Sequence, residues 1–183
     1  MNSPEPIVPD PDQSTEVSDK LCSSAGGEGI SISQSLYSLV AQQPFFKGLN
    51  ADQLQLLTES AMSIQFDAGQ SIFQQGSPAN RFYLILEGAV ALESEMAERS
   101  SIPIQTLGPG DDLGWSWLFP PFYLHLSARA LKPTKAIFFY GTRLREQCEH
   151  DHDLGYEIMK RIAEIAIQRL QATQQRLMER TGP

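Results

Sequence analysis

Cys148, His150 and His152 fall within five positions and are residue types that ligate zinc or copper. One thiolate and two imidazoles leave a site short of a fourth ligand. Asp151 and Asp153 alongside them suit a polar joint between helices, with one of the two acting as a helix cap. We therefore expect no metal. A second stretch carries glycines and aromatics instead. Gly108, Gly110 and Gly114 punctuate it, and Trp115, Ser116, Trp117, Phe119, Phe122, Tyr123, Leu124 and His125 follow. Glycines let backbone amides approach an anion closely, whereas indole and phenol faces suit a flat or apolar ligand. The three glycines miss the dinucleotide fingerprint by one residue and lie between β-type segments. No Ser-His-Asp order, HExxH or P-loop occurs. Nothing supports an enzyme or a catalytic residue.

The surrounding periodicity says which elements must hold that stretch. Leu36, Leu39 and Val40 have helical spacing up to Pro44. Asn50 reads as the N-cap of a second helix whose apolar face is Leu54, Leu57 and Ala61. Beyond Met62 the period shortens toward two. Short strands are expected at 64–66, 71–75, 82–86, 89–93, 103–107, 124–131 and 135–140, with turns rich in Gly and Pro between them. Such a run implies a jelly-roll-like β-sandwich or barrel. Helix returns over 142–148, and again from an N-cap at Asp153 to about residue 180. On that last helix, roughly 25 residues and about 38 Å long, Ile158, Ile162, Ile165, Ala166, Leu170, Thr173 and Leu177 form one apolar seam. The seam either folds back over its own sheet or packs against a second copy, and its length favours a homodimer through residues 154–180.

Composition sets further bounds. A chain of 183 residues that is 41% hydrophobic suffices for one domain with a sizeable core. Residues 1–33 hold six acids against one base, a net −5 of the chain's −8, with four prolines in the first eleven positions. We read them as a disordered acidic, Pro-rich tail. Residues 34–152 would form the β-roll with its N-terminal helices, and 153–180 the dimerisation helix. Acidity disfavours non-specific nucleic-acid binding. Without a signal peptide or a bilayer-length apolar run, a cytoplasmic protein that does not contact membrane is expected. Two cysteines, Cys22 and Cys148, cannot build a disulfide framework or the usual iron–sulfur site.

Six segments together resemble the cyclic-nucleotide-binding domain family, which includes the sensor half of catabolite-activator and FNR-type transcription factors. They are Pro44-Phe-Phe-Lys-Gly48, Asp67-Ala-Gly69, the run to Ala79, Phe82 to Gly88, Leu107 to Asp111, and Ser127-Ala-Arg-Ala130. The resemblance spans about residues 36–180. It implies a mainly β fold with flanking helices, a double-stranded β-helix or β-roll followed by a long C-terminal helix, in a Crp/Fnr-like signal-transduction module. In nucleotide-binding members a Phe-Gly-Glu-type stretch opens a short helix facing the phosphate, and an Arg about ten residues later pairs with it.

Here that stretch reads Leu113-Gly-Trp115, the Arg position falls on Leu124 beside His125, and no Arg lies between Gly114 and Ala128. Each lost charge-assisted contact costs about 1.5–3 kcal/mol. A cyclic nucleotide is therefore disfavoured and no cofactor is expected. His125, if protonated, would be a weaker cation, and Arg129 has the wrong parity to face inward. Gly114, Trp115, Ser116, Trp117, Leu124 and His125 are the candidate ligand-binding residues of this degenerate phosphate loop. Its aromatics either fill the former pocket or line a site for an apolar or flat ligand. The resulting expectation is a non-enzymatic sensory module for a different small ligand or an unknown protein partner. The alternatives are a structural dimeric adaptor and a true cyclic-nucleotide binder with atypical contacts. The family's transcription factors carry a winged helix-turn-helix after the long helix; nothing comparable follows Thr181 here, so direct DNA binding is not expected. Lys160, Arg161, Arg169, Arg176 and Arg180, interleaved with Glu157, Glu164 and Glu179, read as a solvated helix face.

Overall fold

The computed structural model describes residues 36–95 and 101–181, without the side chains of the last two. The acidic tail over 1–33 lies outside the described residues. Residues 36–41 are helical (α1), and a 3-10 turn at Pro44–Phe46 buries both phenylalanines. Helix α2 spans Ala51–Glu59 and opens on a complete capping box. Asn50 Oδ1 accepts from Gln53 N at 2.9 Å, and Gln53 Oε1 accepts from Asn50 N at 3.2 Å. Ala61, expected on the face of this helix, instead begins strand β1.

Six strands follow among the described residues: β1 (Ala61–Phe66), β2 (Ser71–Phe73), β3 (Arg81–Glu95), β4 (Ser101–Leu107), β5 (Asp112–Leu113) and β6 (Ser127–Tyr140). All pairings are antiparallel, in the order β1-β6-β3-β4, with β2 on β6 and β5 on β3. This is the expected β-roll, with fewer and longer strands than the spacing of turn residues suggested. Phe82–Leu86 and Ala89–Glu93 belong to one strand that bends at Gly88, where φ is 109°. A Cβ there would stand 2.3 Å from Thr134 Oγ1, so glycine permits a close strand crossing instead of a turn. Opposite it, β6 runs straight through Pro133, because the β3–β6 register shifts on both sides of Gly88 and removes the need for a regular ladder.

Both faces of this sheet are covered, so its central runs are nearly continuous in apolar residues. Phe82, Leu84, Ile137 and Phe139 point to a core shared with the helices. Tyr83, Ile85, Ala136 and Phe138 alternate with them and fill the inside of the roll.

Helix α3 spans Gly141–His150 and α4 spans His152–Thr181. The cap of α4 is Asp151, not Asp153. Its Oδ1 accepts from Leu154 N at 3.0 Å, and its Oδ2 accepts from Gln53 Nε2 at 3.2 Å, tying the starts of α2 and α4 together. Those two hydrogen bonds hold the Asp151 carboxyl below the ordinary range. The seam expected along α4 divides. Leu154, Ile158 and Ile162 are buried on the protein's own core, whereas Leu170 and Leu177 lie on another, exposed face. No described helix is long and apolar enough to cross a membrane.

Candidate functional site

Gly114 starts the loop that faces the interior of the roll, and its backbone demands glycine. Its φ is 85°, and a Cβ would come within 2.6 Å of the Arg81 carbonyl oxygen. The next four residues, Trp115–Leu118, make a single 3-10 turn. The return segment is held by backbone bonds to the Gly76-Ser-Pro78 turn. Ala79 N donates to Phe122 O at 2.7 Å, Leu124 N to Ser77 O at 2.9 Å, and Gly76 N to Leu124 O at 2.8 Å. This ladder turns Leu124 inward, where it is buried, and leaves His125 exposed.

Gly114, Trp115, Ser116, Leu124 and His125 meet around one small cavity, so the structure gathers five of the six expected residues. Phe73, Leu92 and Leu126 complete its apolar wall, and the volume is about 80 Å3. At about 30 Å3 per water this is room for two or three waters, far below the roughly 300 Å3 at which ligand pockets begin. Trp115 lines the cavity at half burial and meets Phe119 edge-to-face at 6.3 Å.

Trp117 is elsewhere. It is fully buried in the helix-side core, 6.3 Å from the Phe82 ring, and its Cβ would be 2.6 Å from a Cβ added at Gly141. Its carbonyl accepts from Arg145 Nη1 at 3.1 Å. One turn of 3-10 helix carries the two indoles to different sides, one as an anchor on α3 and one toward the cavity. Composition does not distinguish them.

The residue that sequence reasoning missed is Arg169. It reaches from α4 to the cavity wall, where Nη2 bonds to the carbonyl oxygen of Asp112 and lies 3.3 Å from its Oδ1. Asp112 is almost fully buried, and Oδ2 has no partner among the described residues. Burial pushes its pKa up, and the Arg169 charge opposes that rise. The solvated-face reading of the α4 arginines is thus corrected for three of them. Arg161 donates to Lys47 O at 2.8 Å and pairs with Glu157 at 3.2 Å, Arg169 holds Asp112, and Arg176 donates to Ile104 O at 2.6 Å. Spacings of eight and seven residues place all three on the stripe that faces the roll. Alternating charge signs along a helix carry no information about which face is inward. Arg129 behaves as its parity predicts, pairing outside the roll with Glu93 at 3.0 Å.

At the α3–α4 joint, burial and the neighbouring Asp151 and Glu149 carboxylates push the Cys148 thiol up to about 11. Among the described residues no group of three or more His, Cys, Asp or Glu is placed to hold a metal.

A model of the cyclic nucleotide-binding domain matches residues 63–151. A solved cyclic nucleotide-binding protein of Geobacter metallireducens GS-15 is 32% identical, over 73% of this chain and 96% of that one, with a TM-score of 0.66. The CRP-like cAMP-activated global transcriptional regulator of Mycobacterium tuberculosis is 22% identical over 125 residues, 68% of this chain and 56% of that protein. The chain thus spans about half the length of that regulator. The regulatory subunit of a cAMP-independent protein kinase A from Trypanosoma brucei shares the fold, with a TM-score of 0.67 and 22% identity over 82% of this chain and 53% of that one.

Proposed function

The chain belongs to the cyclic nucleotide-binding domain family, a family of regulatory and sensor domains, and on that premise we propose a non-enzymatic sensory module that does not take cyclic AMP. The observation that carries this reading is the loop cavity. It measures about 80 Å3, its lining is mostly apolar, with Arg169 of α4 and exposed His125 at its edge, and by the resemblance Trp115 and Leu124 stand where the family places its acid and its arginine. A cyclic phosphate entering it would lose its hydration, and the one arginine in the lining, Arg169, is already held by Asp112. The ligand of this site is a small apolar molecule that stacks on Trp115 and displaces Leu124 or Leu126. Loss of cyclic AMP dependence on this fold has a parallel in the Trypanosoma brucei regulatory subunit, which belongs to a cAMP-independent protein kinase A.

The output is carried by α4. Tyr156, Met159, Ile167 and Leu170 are exposed along its outer side, and Ala163 lies among them. Steps of three, four, four and three residues through these positions match a heptad seam, which favours pairing with a second copy of the helix.

Thermal-shift titration with cyclic AMP, cyclic GMP, cyclic dinucleotides and a panel of small apolar compounds tests the reading. At about 100 times Kd a ligand adds about 2.7 kcal/mol, a shift of several degrees for this domain. A response to cyclic AMP or cyclic GMP refutes it, and a response confined to apolar compounds supports it. Silence across the panel points to a structural adaptor, a reading that the small cavity volume also favours.

A further inference from the structure

A larger cleft lies on the other side of the Arg169–Asp112 pair, between α4 and the Gly110–Asp112 turn, with Pro44 and Phe45 at its floor. Its volume is about 460 Å3, within the roughly 300–1,000 Å3 usual for small-molecule sites. Two charged side chains in its lining keep a buried atom without a partner among the described residues. Arg161 Nη1 is one, on the helix wall, and Asp112 Oδ2 is the other, on the strand wall. Unpartnered buried polar atoms are costly and few, so two in the lining of one cleft call for groups that satisfy both. An acceptor is needed for the guanidinium and a donor for the carboxylate. Gln168 also lines the cleft and makes no side-chain hydrogen bond to the described residues.

Charge narrows the class. Asp111, Asp112 and Glu164 line the cleft against Arg161 and Arg169, an excess of one carboxylate that disfavours an anion. A ligand with an ammonium for Asp112 and Glu164, and a carboxylate for Arg161, matches the arrangement. Arg161 and Arg169 are eight residues apart on α4, about 12 Å of helix, and Asp112 lies at the Arg169 end. The long Arg161 side chain can cover part of that rise, so two or three extended residues, roughly 7–11 Å, suffice for the rest, while a free amino acid does not. Phe45 and Ile165 offer apolar contact to the side chains between. We infer that this cleft is a second binding site, separate from the loop cavity, for zwitterionic di- and tripeptides.

Titrating the full chain with dialanine, trialanine and alanylphenylalanine, beside their N-acetyl methyl esters and free alanine, tests the inference by thermal shift and calorimetry. At least one free peptide should raise Tm by several degrees near 100 times its Kd, while its capped form and free alanine bind at least tenfold more weakly. Ala172→Phe, which projects a ring into the cleft, should abolish the response. Glu164→Gln, at an exposed position, should weaken it about tenfold without lowering the ligand-free Tm, and so separates lost binding from lost folding. Failure of every peptide to bind overturns the inference. So does equal binding of a capped peptide, or undiminished binding to both variants. Leu124→Trp, which fills the loop cavity, should leave the peptide response unchanged.

Discussion

Replacing Arg169 by Gln removes the cation beside a carboxylate that has almost no access to water. Asp112 is 4% exposed, and its only side-chain partner among the described residues is Arg169, at 3.3 Å from Oδ1. The variant takes the guanidinium from Oδ1 beside an Oδ2 that already has no partner among the described residues, and also removes the guanidinium bond to the Asp112 carbonyl. Breaking one side of a buried pair costs about 3–5 kcal/mol, and the adjoining cleft admits some water, which places the loss near about 3 kcal/mol at pH 7. At roughly 2–4 °C per kcal/mol for a domain of this size, Tm falls by about 6–12 °C.

The pH dependence has a definite sign. Burial raises the Asp112 pKa in the folded state above its unfolded value, so the folded protein binds the extra proton between the two. Stability from this group therefore falls as pH rises through that window and recovers on acidification. Without Arg169 the folded-state pKa rises further, so the window widens upward and the deficit of the variant shrinks as pH falls toward the ordinary carboxylate range. Urea unfolding of the wild type, Arg169→Gln, Asp112→Asn and the double variant at several pH values measures this. A deficit independent of pH, or one that persists undiminished in the Asp112→Asn background, would refute the argument that the pair is a buried electrostatic contact.

Three further outcomes follow from the geometry. Gly114→Ala combines a left-handed φ of 85° with a Cβ placed 2.6 Å from a backbone oxygen, and should cost at least about 1–3 kcal/mol in urea unfolding. Leu170→Glu, at an exposed position on the outer side of α4, should leave monomer stability within about 0.5 kcal/mol yet lower the sedimentation mass from dimer to monomer. An unchanged mass would remove α4 from the assembly. With its thiol pushed up to about 11, Cys148 should be roughly one part in a thousand thiolate at pH 8. Its alkylation by iodoacetamide should accordingly be far slower in the native protein than in urea.

Much of this architecture was legible in residue types and spacing, because the features involved are local. The capping box at Asn50 and Gln53, the turn glycines and the alternation of Phe82 to Leu86 each depend on neighbours within a few positions. The glycines of the loop and the absence of an Arg between Gly114 and Ala128 are likewise linear facts. Turn and bulge were not distinguished at Gly88, because a positive φ serves either, and only the crossing with Thr134 makes it a bend within one strand.

The sequence by itself therefore determined the family and the order of helix, roll and helix. Tertiary structure decided the rest. It sent Trp117 to the helix-side core and Trp115 to the cavity, split the apolar seam of α4 into an inner and an outer part, and turned Arg161, Arg169 and Arg176 back onto the roll. Periodicity specifies which residues share a face of a helix but not what that face meets. Arg169 is 57 residues from Asp112 in the chain, and only the docking of α4 against β5 makes the two a pair.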